Sequence, residues 1–117
     1  KGVTLDVARR LQVLLEREGY QVVLTRTDDR FVDLEERAAI ANRAKADLFV
    51  SIHFNAVANA PTVRGTETYI MTPRHHASTQ PERDKSMVPT LYPGNARDVW
   101  NAVLGYQIHR QLLDQLG

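Results

Sequence analysis

The sequence predicts an α/β fold, a mostly parallel sheet with flanking helices, and two observations predict it. Stretches with helical periodicity alternate with short β-branched or apolar runs in the order helix, strand, helix, strand, the pattern of strands joined by right-handed helical crossovers. The first of those runs is continuously apolar at its centre, as a strand covered on both faces is.

Each element has its own grounds. From Val3 to Glu18 the apolar residues Val3, Val7, Leu11, Leu14 and Leu15 recur at three- and four-residue steps, which places them on one helix face. Gly19 suits the C-terminal cap. Tyr20 to Thr25, with Val22, Val23 and Leu24 together, reads as a buried parallel strand. Asp33, followed three residues later by Glu36, predicts a capped helix through about Ala44. Asp47 to Phe54 is the most apolar stretch and alternates, with Leu48, Val50, Ile52 and Phe54 on one side and Phe49, Ser51 and His53 on the other; it reads as the central strand. Arg64 to Met71 alternates around Thr66, Thr68 and Ile70 as a further strand. Residues 72–95 carry Pro73, Pro81, Pro89 and Pro93 and read as a long loop or insertion, either a lid carrying Tyr92 as an aromatic surface or, the favoured reading, a flexible insertion. Arg97 to Leu116 places Trp100, Val103, Leu104, Ile108, Leu112 and Leu116 near one face of a final helix, and Trp100 on that stripe reads as core.

Composition narrows the class of protein. A chain of 117 residues fits one domain, and 43% apolar with 25% charged residues is ordinary for a soluble globular protein. Fifteen Lys and Arg balance fourteen Asp and Glu for a formal net charge of +1, with no basic stripe to suggest nucleic acid. No apolar run suggests a membrane span. The absence of cysteine removes thiol nucleophiles and leaves only His and carboxylates as metal ligands. No Gly-rich phosphate loop stands between a strand and a helix, which sets aside a nucleotide-binding domain. No signal peptide opens the chain, and both ends read as truncations.

In such folds ligands gather beyond the carboxyl ends of the strands. His53 stands at that end of the most apolar run, in Ser51-Ile52-His53-Phe54-Asn55. A lone imidazole is more often a satisfied polar residue than a metal ligand, because a zinc site needs three protein ligands and an open position. Asn55 can orient His53, meet a substrate carbonyl or close its own turn, and the readings stand level. Glu67 can face a metal cleft, although a charged residue on a half-exposed strand is usually solvated or paired. Arg26 and Arg37 are expected to fix loops by pairing with Asp28 or Asp47. His75 and His76 are adjacent, point oppositely on an extended segment and suit one metal poorly. His109 reads as a surface residue of the last helix.

Four ordered blocks carry a family resemblance: Val22-Val23-Leu24-Thr25-Arg26-Thr27-Asp28; Leu34-Glu35-Glu36-Arg37 with Ile40-Ala41-Asn42; Ala46-Asp47-Leu48-Phe49-Val50-Ser51-Ile52-His53-Phe54-Asn55-Ala56; and Arg64-Gly65-Thr66-Glu67-Thr68-Tyr69. In order and spacing they resemble the amidase-3 family of zinc-dependent N-acetylmuramoyl-L-alanine amidases, closely from Lys1 to about Met71 and loosely in the last helix. The resemblance implies that residues 1–117 are the central part of one catalytic domain whose sheet is incomplete here. It implies Zn2+ as cofactor, with His53 as one ligand. The family's other ligands, a His in a Gly-His-Gly-Gly segment and a Glu, would precede Lys1, and its general-base Glu would lie beyond Gly117; Asn55 and Glu67 remain as residues that could support the metal site. The implied reaction is hydrolysis of the amide between N-acetylmuramic acid and L-alanine in peptidoglycan, in the periplasm or outside the cell. This stretch alone is expected to be inactive. The rival is a non-catalytic peptidoglycan-binding or regulatory domain of the same fold. No protein activator is named by the sequence.

Overall fold

The computed structural model describes residues 2–55, 62, 64–74, 76 and 93–116. Their regular structure is helical: α1 (Gly2–Arg17), α2 (Leu34–Arg43), a 3-10 turn (Pro93–Arg97) and α3 (Asp98–Leu116). The chain forms two compact units, Lys1–Asn59 and Ala60–Gly117.

The helices begin and end where local chemistry dictates. Helix α1 closes in a Schellman motif, with Tyr20 N–H donating to Leu15 O at 3.1 Å and Gly19 N–H to Glu16 O at 3.1 Å. Gly19 supplies the left-handed residue that this ending needs, at φ 87°. Helix α2 ends the same way, with Ala46 N–H on Ala41 O and Lys45 N–H on Asn42 O, both 3.0 Å. There the left-handed residue is Lys45, at φ 50°. Asp33 is the N-cap of α2, but its side chain makes no capping hydrogen bond, so the expected capping box does not form. Glu36 instead pairs with Arg43 at 2.6 Å, and Glu35 and Glu36 still set negative charge in the first turn, where the helix dipole favours it.

The predicted α/β fold with its parallel sheet is corrected: among the described residues there are three α-helices and no strand. Residues 20–25, expected as a strand from their apolar run, and 47–54 and 64–71, expected as strands from their alternation, form no ladder among the described residues. Alternation reports a segment's preference for pleated backbone, whereas a strand exists only when a neighbour about 4.8 Å away takes up its N–H and C=O groups. The apolar side chains follow suit, and Val23, Leu48, Phe49, Val50 and Phe54 are exposed.

Among the described residues of the first unit, Leu5 and Val32, each 8% exposed, are the buried hydrophobic ones. Leu5 lies off the predicted stripe, and Val3 and Leu14 on that stripe are exposed. The turn after residue 25 is fastened to α1 by polar groups. Arg26 donates through Nη2 to Thr4 Oγ1 at 2.9 Å and through Nη1 to Asp28 O and Asp29 Oδ1, both 3.1 Å. Arg9 also reaches Thr27 O. Arg26 therefore fixes a loop as expected, but its carboxylate partner is Asp29. Arg37 does not reach Asp47; its Nε donates to Val32 O at 2.8 Å, and its guanidinium lies 5.9 Å from the Phe31 ring centroid.

In the second unit the extended segment around 68–71 packs on α3. Gly105 is buried, and a Cβ placed there would overlap Ile70 Cγ2 and lie 4.0 Å from Thr68 Cγ2. The glycine is what permits the approach. At the start of α3, Asn95, 7% exposed, donates to Thr72 O and to Asp98 Oδ1, both at 2.9 Å. Asp98 Oδ2 accepts Arg74 N–H at 2.7 Å, and Asn101 Nδ2 donates to Gly94 O at 3.2 Å. The two margins of the predicted 72–95 loop are thus bonded to each other, while most of the loop, with His75 and Tyr92, lies outside the described residues. Trp100, expected in the core, is 72% exposed, and Val99, Val103 and Tyr106 on the same helix are exposed too; the helix's covered side keeps Leu104 and Ile108 of the expected stripe and adds Asn101, Gly105 and His109.

Candidate functional site

His53 follows the Asp47–Ile52 run in backbone that is neither helical nor paired. Side chains two residues apart on extended backbone share a side, and the structure brings Ser51 and His53 together: Ser51 Oγ stands 2.9 Å from His53 Nε2. Ile52, pointing the other way, is half-buried, whereas Ser51, His53 and Asn55 are exposed. Nδ1 of His53 has no hydrogen-bond partner among the described residues. A neutral imidazole with one nitrogen hydrogen-bonded and the other open has the chemistry of a single zinc donor. Among the described residues no three His, Asp or Glu side chains converge as a metal cluster, so the fit extends to one ligand.

Glu67 belongs to the second unit. Thr68 and Ile70 face α3, and the alternation turns Glu67 and Tyr69 outward, where the Tyr69 hydroxyl donates to Glu67 Oε2 at 3.0 Å. That hydrogen bond, and then the negative charge of Glu67, raise the Tyr69 phenol above its ordinary pKa. Glu67 is thus a paired, exposed carboxylate.

Two placements went unforeseen. His109 is not a free surface residue: it is half-buried, and its Nδ1 lies 3.1 Å from Thr68 Oγ1. The sequence separates the pair by 41 positions, so no local pattern could have joined them. The Ser51–His53 contact did have a signal, the Ser-x-His spacing on an alternating run. Asp98 is the other perturbed group: the hydrogen bond from Arg74 N–H, then that from Asn95, hold its carboxyl below the usual range. An open depression of about 340 Å³ is lined by Arg30, Phe31, Val32, Asp33, Glu36 and Ile40, none of them among the candidate site residues. No helix among the described residues is long and apolar enough to cross a membrane.

The family model described as N-acetylmuramoyl-L-alanine amidase matches residues 1–92. The chain is similar to the N-acetylmuramoyl-L-alanine amidase AmiC of Escherichia coli, 51% identical over 57 residues, which are 48% of this chain and 14% of that protein. It is 41% identical over 80 residues to the N-acetylmuramoyl-L-alanine amidase LytC of Bacillus subtilis, covering 68% of this chain and 16% of LytC. An endolysin of Bacillus phage SPP1 is 37% identical over 93 residues, 79% of this chain and 33% of the endolysin. The chain therefore spans about a third or less of the length of these relatives. No solved structure matches it.

Proposed function

The chain belongs to the N-acetylmuramoyl-L-alanine amidase family, and on that premise we propose that the protein it forms part of hydrolyses the amide between N-acetylmuramic acid and L-alanine in peptidoglycan, with zinc as cofactor and His53 as one ligand. The observation that carries this reading is the family match across residues 1–92, which includes the Ser51-Ile52-His53 segment. The substrate places the protein in the cell envelope, periplasmic or extracellular, with peptidoglycan as its partner.

Zinc bound there would polarise the scissile carbonyl and bring the pKa of a water toward about 7. The part played by this chain is narrower. His53 would offer an unprotonated ring nitrogen, and its exposed position leaves that nitrogen open to a ligand and to solvent. Asn55 follows two residues later on the same side and is positioned to bond a ligand or a substrate amide by its own side-chain amide.

The test is His53→Ala in the longest protein that carries this chain. Bound zinc measured by atomic absorption and peptide released from purified peptidoglycan should both fall to background, with circular dichroism unchanged. Undiminished peptide release by the substituted protein would refute the assignment.

A further inference from the structure

We draw no further inference here: the strongest candidate, the exposed apolar face of α3 made by Val99, Trp100, Val103, Tyr106 and Leu113, carries nothing because no observation among the described residues shows what covers it.

Discussion

Gly105 of α3 lies so close to Ile70 that a single added methyl would overlap Ile70 Cγ2. A glycine inside a helix ordinarily costs about 1 kcal/mol relative to alanine, so replacing it should stabilise unless space forbids. Here space forbids: Ile70 is branched at Cβ and stiff in χ1, and overpacking typically costs about 1 to 3 kcal/mol. Gly105→Ala should therefore lower stability by about 1 kcal/mol net in urea unfolding. In an Ile70→Ala background the same change should stabilise. Gain of stability from Gly105→Ala in the unmodified chain would show that this packing is not made.

The two helix endings provide a matched pair. Lys45 occupies the left-handed position that Gly19 fills after α1. An L-residue with a side chain is disfavoured there by about 1 to 2 kcal/mol, partly offset by the extra freedom glycine has when unfolded. Lys45→Gly should raise stability by about 0.5 kcal/mol or more, and Gly19→Ala should lower it. Thermal melts of both variants decide the matter; equal and unchanged midpoints would contradict the shared ending.

Asp98 links stability to acid. Its folded pKa lies below the ordinary value because Arg74 N–H and Asn95 donate to the carboxylate. Its contribution is therefore present above the unfolded carboxylate value of about 3.9 and is lost as pH falls through the lower folded value. Asp98→Ala should melt earlier than the parent at neutral pH, and the gap should close in strong acid. A gap independent of pH would assign the effect to packing and not to charge.

Tyr69 is the alkaline counterpart. Donation to Glu67 and that residue's charge raise the phenol above its ordinary value, so the interaction stabilises below the unfolded value of about 10 and is lost as pH rises through the folded one. Glu67→Gln should bring the Tyr69 transition at 295 nm to lower pH, with Tyr69→Phe identifying which transition it is. A Tyr69 transition unmoved by Glu67→Gln would place the two side chains apart in solution.

The sequence by itself determined the three helices nearly to the residue, because amphipathic spacing, the Gly19 ending and the acidic start of α2 are local signals whose hydrogen bonds close within five residues. It also determined the family, since ordered blocks around Arg26, Arg37, His53 and Gly65 are matched as text, without reference to how they fold. Only the tertiary structure decided that the alternating runs at 47–54 and 64–71 form no ladder, because a strand depends on a partner that periodicity does not name. It likewise decided that Trp100 is exposed, that Thr68 holds His109 and that Glu67 turns outward to Tyr69. A stripe on a helix states which residues could be covered together, but what comes to rest against them is fixed by contacts between distant parts of the chain.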